Sequence, residues 1–527
     1  MRIRRRDFLG AGGTLLASAS LAGCAARVAP GTAAARSPAS ADSPFSHGVA
    51  SGDPLQDRVV IWTRARRGDS PEPVEVEWFC ALDADGRERV AAGTVVAGRE
   101  RDHTVAIDVT GLQPGTTYYY GFVALGWRSI LGRTRTAPRD TDSARFAVAS
   151  CANYSQGFFN GYRCIAEHDD LDAVIHLGDY IYEYERGKYS AGAELDREPD
   201  PPHELLRLED YRQRYAQYRS DPDLQAAHAR HPFIAIWDDH ESANNAWLGG
   251  AKNHDPSEGA WQARLAAATR AYMEWLPIRP TPSGAGGRLY RTFRFGTLCE
   301  LFMLDGRIVG RDAQVEDRRD WGQVMRGDRS MLGDAQERWL HEGLTRSRAD
   351  GVQWRLLGQQ TMMAQLRRTD GIANKDQWDG YHAARERLLS AIEAGNLDNV
   401  VVLTGDIHSS WANELARDPF DATRYDPATG RGALATELIC AGITSPSPYL
   451  RERTRLFPEW VRKTHPHVKY LEGVHRGYLI VDVGRARTRA EWHLLETVME
   501  PSTGKWVDAV LEVESGSPHL KRKETQT

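Results

Sequence analysis

Cysteine is scarce in this chain: six in 527 residues, with no CxxC pair and no regular spacing. That excludes a disulfide framework as the basis of the fold. Cys80, Cys299 and Cys440 fall inside apolar, strand-like runs and read as small core residues. A surplus of one charge is also missing. The net charge is -5 and no basic stripe runs along the chain, which argues against a nucleic-acid binder. Long apolar runs are absent too. The run Gly10–Leu21 is too short and too weakly apolar to span a bilayer. No repeat is visible. The length exceeds what one hydrophobic core usually serves, so one small and one large domain are expected.

The N-terminus carries Arg4-Arg5-Arg6-Asp7-Phe8-Leu9, a twin-arginine pattern, ahead of that short run. It reads as an export signal. The run closes on Leu21-Ala22-Gly23-Cys24, which is similar to a bacterial lipobox. The expected partner is the twin-arginine export machinery. The expected location is periplasmic or extracellular, with the membrane touched only through a lipid on Cys24. Ordinary cleavage nearby is the alternative. Twin-arginine export carries folded proteins, which fits a metal acquired before secretion. Residues 25–44 are rich in Ala, Ser, Pro and Gly and form a linker.

Residues 45–138 read as all-β. Val74-Glu75-Val76-Glu77-Trp78-Phe79 alternates clearly, and Leu112-Gln113-Pro114-Gly115 precedes the aromatic strand Thr117–Tyr120. The span is similar to a fibronectin type III domain, a β-sandwich. From Ala144 strands alternate with helical patterns up to about residue 510, which predicts a layered α/β domain. Leu205–Ala229 reads as one helix, and residues 511–527 as a polar tail.

The chemistry collects at strand ends. An apolar run, Val174–Leu177, stops at Gly178-Asp179-Tyr180-Ile181-Tyr182. Ligands of open α/β sheets bind at such carboxyl ends. Asp179 and Tyr182 are three apart, so their oxygens can turn to one point, which suits a hard, highly charged cation. Three more ends repeat the pattern: Ser150-Cys151-Ala152-Asn153, Trp237-Asp238-Asp239-His240-Glu241 and Thr404-Gly405-Asp406-Ile407-His408. One such cluster is explained by capping. Four in one domain are not.

This set resembles the calcineurin-like metallophosphoesterases, and among them the PhoD-type alkaline phosphatase family. The resemblance runs from about His47 to Val483. It takes in the leader His47–Pro54, Leu304-Asp305-Gly306-Arg307, Gly358-Gln359-Gln360 and Trp378-Asp379-Gly380-Tyr381. Gly306 departs from it, standing where the family more often has a larger residue. The resemblance implies a four-layer metallophosphoesterase sandwich, preceded by the fibronectin III-like domain, and metals at the strand ends. Ordinary dinuclear relatives open with Asp-x-His and later use Gly-Asn-His and Gly-His-x-His. Here Cys151 replaces the opening Asp, Asp239-His240 replaces Asn-His, and Asp406-Ile407-His408 replaces His-x-His. Thiolate, phenolate and carboxylate from Cys151, Tyr182 and Asp179, with His408, suit Fe(III). Asp239 and Asp406 favour Ca²⁺ over Zn²⁺. The same ions, ferric iron and calcium, are what the family resemblance implies. Asn244 either adds an amide oxygen or only caps the strand.

The resemblance further implies an exported phosphoesterase that hydrolyses phosphate mono- and diesters with a metal-activated hydroxide. His240 is expected to stabilise developing charge or protonate the leaving oxygen. Arg307 is expected to clamp a phosphoryl oxygen, with a surface salt bridge as the plain alternative. A phospholipase-D-like phosphodiesterase on the same fold is the chief rival. A catalytically dead binding module and a sugar-binding protein are the others. Complete ligand sets at four strand ends oppose the former. The apolar surroundings of most Trp oppose the latter.

Overall fold

A computed structural model describes residues 42–279, 288–368, 370–448 and 457–524. The twin-arginine motif, the lipobox with Cys24 and almost all of the linker lie outside these residues. Two large mixed sheets organise the α/β part. In the first, the strands Ser143–Ala149, Ala173–His176 and Pro232–Ala235 run parallel side by side. In the second, Cys299–Met303, Trp354–Gln359, Val400–Thr404 and Ala433–Ile439 do the same. These strands are largely buried on both faces, as parallel strands between layers must be.

Alternation along a strand sorts its side chains between two cores. Val401 and Leu403 face inward, where they join Leu301, Leu356, Phe146, Val148 and Ile175 between the sheets. Val400 and Val402 face outward, into a second core with Leu340, Leu344, Leu388 and Ile392. Those four belong to the helices Asp334–Ala349 and His382–Ala394. On the far side of the first sheet, Asn160–Ala166 and Pro222–Arg230 bring Tyr162, Ile165, Leu224 and Ala227. Helix, sheet, sheet and helix make the four expected layers. No helix among the described residues is long and apolar enough to cross a membrane.

Three details differ from the sequence reading. The N-terminal region is all-β, but its strands divide between two sheets. Arg89–Ala97, Val74–Ala81, Thr117–Ala124, Trp127–Arg128 and Gly132–Arg135 form a five-stranded sheet. Val49–Gly52, Arg58–Arg64 and Thr104–Thr110 extend the first large sheet instead, with Val49–Gly52 parallel to Pro232–Ala235. The expected polar tail supplies the end of Lys505–Glu514 and the strand Leu520–Lys523. Leu511, Val513 and Leu520 there are buried, an apolar alternation that the flanking charges hide. The predicted helix over 205–229 is two helices, Leu208–Arg219 and Pro222–Arg230. Asp221 caps the second by accepting from the Asp223 and Leu224 amides, with Pro222 in its first turn.

Candidate metal centre

The carboxyl ends of both parallel strand sets open on the same place. Cys151 follows Ser143–Ala149, and Asp179 follows Ala173–His176. Asp238, Asp239 and His240 follow Pro232–Ala235, while Asp406 and His408 follow Val400–Thr404. Each chain direction must turn sharply there. Cys151, Asp179, Asp406 and His408 all have left-handed backbone, with φ of 59°, 54°, 62° and 55°. Side-chain-bearing residues seldom adopt it, and such strain collects at functional sites.

Ligand atoms of Cys151, Asp179 and His408 lie within 4.8 Å of one another, and so do those of Asp179, Asp239 and His240. Asp179 is common to both groups. Tyr182 joins the first: its hydroxyl donates to Asp179 Oδ2 (2.9 Å), lies 3.3 Å from His408 Nε2, and accepts from Ser445 Oγ (2.7 Å). His408 Nδ1 is 3.1 Å from the Pro446 carbonyl, to which it can only donate. Its Nε2 therefore carries the free lone pair, the arrangement a metal-binding imidazole needs.

Around the second group, His240 Nδ1 donates to Glu183 Oε2 at 2.7 Å, and Glu183 Oε1 accepts the Asn244 amide at 2.8 Å. The Asn244 side chain donates to Asn253 Oδ1 (3.2 Å). Asp239 Oδ2 accepts the Asn245 amide at 2.6 Å, while its Oδ1 is buried with no hydrogen-bond partner. Asp238 Oδ2 is orphaned in the same way. An orphaned buried carboxylate oxygen is costly.

Residues 146–492 match the family model described as PhoD-like phosphatase. The chain belongs to that family. Residues 31–138 match the N-terminal domain of PhoD-like phosphatases. Alkaline phosphatase D of Bacillus subtilis (strain 168) is 37% identical over 478 residues, covering 87% of this chain and 79% of that one. A solved structure of PhoD, 34% identical, covers 93% of this chain and 94% of its own, with a TM-score of 0.83.

Arg307 has a different setting in this PhoD-like phosphatase from the one expected. It is fully buried, so the surface salt bridge is excluded, and carboxylates surround its guanidinium. Nε donates to Asp238, Nη1 to Asp376 at 2.7 Å and Nη2 to Asp406 at 2.9 Å, with Asp239 3.6 Å from Nη2. Its donors tie the acidic loops together and are engaged by their carboxylates. Asp239 and Asp406, the expected calcium pair, thus converge on one guanidinium nitrogen. Asp406 lies outside both compact ligand groups. His240, expected beside the metals, stands within one of them.

Electrostatics follow from burial. Asp179, Glu183, Asp238, Asp239, Glu241 and Asp376 are buried together, and the opposing cations are Arg307, Arg311 and any charge on His240. Burial, then the Asp179 charge, pushes the Cys151 thiol and the Tyr182 hydroxyl far up. Burial drives the Asp179 carboxyl far up as well, against the pull of His240. Burial also acts to raise Asp239, but Arg307 and His240 hold it below the usual carboxylate range. Burial opposes charge on His240, and Glu183 and Asp179 outweigh it and raise its pKa. A surplus of buried negative charge with orphaned oxygens is a cradle for cations.

Sequence reasoning missed the supporting residues. Glu183 stood next to Tyr182 in the first motif. Glu241 accepts the amides of Asp179, Tyr180 and Asp238 at 3.1, 2.7 and 2.9 Å and so sews two strand ends together. Asp376 lies two residues before a family block, in a loop with no strand to flag it. Ser445 and Tyr189, whose hydroxyl is 3.1 Å from His408 Nδ1, had no signal at all.

Proposed function

We propose that this phosphatase hydrolyses phosphate mono- and diesters at a centre holding Fe(III) and Ca²⁺. One observation carries the reading: Asp179 is shared between a Cys151–Tyr182–His408 set and an Asp239 set, with His240 beside the latter as a proton donor and not a ligand. A carboxylate common to two neighbouring ligand groups would serve an ion held in either of them. Thiol, phenol and imidazole on one side suit ferric iron, and oxygen-rich surroundings on the other suit calcium. When bound, the ions would polarise the phosphoryl oxygens and neutralise their charge. The same positive charge would offset the burial that otherwise holds Cys151 and Tyr182 protonated.

The chain's own residues then have defined work. Pro446 fixes the tautomer of His408. Glu183 orients His240 and favours its protonated form, which serves as donor to a phosphoryl or leaving oxygen. Tyr182 stacks on His240, with ring centroids 4.2 Å apart, and limits its rotation. The loops keep the acidic cluster buried, which strengthens each interaction inside it.

The test measures mono- and diester turnover on a sample whose iron and calcium are also quantified. Phenolate or thiolate on Fe(III) gives a visible band, which Tyr182→Phe shifts or bleaches with loss of activity. Calcium chelation removes activity and leaves the colour. A fully active protein with two zinc ions and no iron would sink the assignment. Twin-arginine export and lipid anchoring at Cys24 belong to the same proposal. They are supported by Arg5-Arg6 and Leu21–Cys24, and an unchanged membrane fraction for Cys24→Ala would count against the anchor.

A further inference from the structure

Arg307 and Arg311 are committed to carboxylates, so neither guanidinium is free for the substrate. Arg311 donates to Asp376 and to the Gly306 carbonyl. Beyond these, a further guanidinium close to the ligand loops has no carboxylate partner among the described residues. Arg476 lies between the strands Val468–Glu472 and Gly477–Gly484. Its backbone is fixed: Leu495 N–H donates to its carbonyl at 2.9 Å, and the next residue, Gly477, donates to Gly442 O at 3.1 Å. Its Nε donates to the Thr444 carbonyl at 3.3 Å. Among the described residues it makes no ion pair, and its terminal nitrogens have no acceptor. The Glu472 carboxylate acts on it electrostatically, but Glu472 is engaged by His475 and by the Val474 and His475 amides.

The loop that holds Arg476 belongs to the metal centre. Ile443 N–H donates to Ser150 O, Ser445 N–H to Cys151 O, and Thr444 Oγ1 to Asn153 O. Ser445 Oγ meets the Tyr182 hydroxyl at 2.7 Å. A Cβ on Gly442 would stand 3.3 Å from Cys151 Cβ. The Arg476 charge acts on both His408 and Tyr189. Arg476 is half-buried, so part of the residue meets solvent.

We propose that Arg476 is the guanidinium that meets the phosphoryl oxygens of the substrate. Its Nε anchors on Thr444, which leaves the planar pair of terminal nitrogens to engage two oxygens at once. The inference rests on the phosphoesterase reading above. The test uses the metal-loaded enzyme and its Arg476→Gln and Arg476→Lys variants. It reads KM and kcat for p-nitrophenyl phosphate and bis(p-nitrophenyl) phosphate, and calorimetric binding of inorganic phosphate. Arg476→Gln should raise KM for both esters and weaken phosphate binding by about tenfold or more, with metal content and thermal midpoint unchanged. Arg476→Lys, which keeps charge but not the fork, should recover part of that loss. Unchanged KM and unchanged phosphate binding in Arg476→Gln would overturn the inference. If the wild type hydrolyses neither ester, the phosphoesterase reading fails, and the calorimetric comparison still decides whether Arg476 binds phosphate.

Discussion

Replacing Glu183 with Gln isolates what the carboxylate beneath His240 contributes. The side chain is fully buried and accepts two hydrogen bonds, from His240 Nδ1 at 2.7 Å and the Asn244 amide at 2.8 Å. Glutamine has the same shape but only one acceptor oxygen. If the amide oxygen serves Asn244, its NH₂ faces the His240 N–H, donor against donor. If the amide is turned, Asn244 loses its acceptor. One charge-assisted bond disappears, worth about 1.5–3 kcal/mol, and one buried donor is orphaned at about 1–3 kcal/mol. These overlap, so a net loss of about 3 kcal/mol is expected. Part of it appears as a lower urea midpoint. Part appears in turnover, because His240 loses its orientation and the charge that holds its proton. We expect kcat to fall about 30- to 100-fold with KM within about threefold. The assay is steady-state turnover at matched metal content beside equilibrium unfolding. A Glu183→Gln variant with wild-type kcat and midpoint would show that His240 needs no partner, and the role assigned to the pair would fall.

Two other outcomes are expected. Gly178 has φ of 102°, and a Cβ there would stand 2.3 Å from the Asp238 amide nitrogen, so Gly178→Ala should cost more than about 3 kcal/mol and separate Asp179 from Asp238. A wild-type urea midpoint with full metal content would refute it. His467 is buried with Nε2 on the Gln365 carbonyl, and burial lowers its pKa to about 3. The folded value lies below the unfolded one near 6.5, so this residue's contribution is complete above about pH 6.5 and is lost as pH falls toward 3. At pH 5 the loss is about 2 kcal/mol, and His467→Gln should flatten that part of the stability–pH curve. An unchanged slope in the variant would contradict the assignment.

Much of the centre was legible because strands place chemistry predictably. Cys151, Asp179, Asp239, Asp406 and His408 each follow an apolar run closely. A run that stops at a ligand-type residue signals a strand end, and parallel strands gather their ends along one edge. The role of Arg307 was not legible. Its position marked it as part of the site, but its partners Asp238, Asp376 and Asp406 come from three separate loops, and no local pattern encodes that meeting. Arg476 was invisible for the same reason. What marks it is a guanidinium whose terminal nitrogens meet no acceptor among the described residues, which only the folded arrangement reveals. The division of the N-terminal strands was hidden as well. Val49–Gly52 is buried along its whole length and shows no alternation, its neighbour Pro232–Ala235 is distant in sequence, and pairing over such a distance leaves no local trace.

That division bears on how the molecule is made. Ser143–Ala149, the strand that delivers Cys151, lies between Ala173–His176 and Gly477–Gly484. While the chain emerges from the ribosome, one side of this strand stays open until residue 484 has been synthesised. On the other flank, Pro232–Ala235 pairs with Val49–Gly52, made long before it. The first sheet is therefore stitched from the beginning, middle and late parts of the chain. A nascent chain lacking its late strands exposes bare strand edges, a template for aggregation. Completion of synthesis is thus the step that closes the sheet, and a chaperone holding the unfinished chain is the protection this topology calls for.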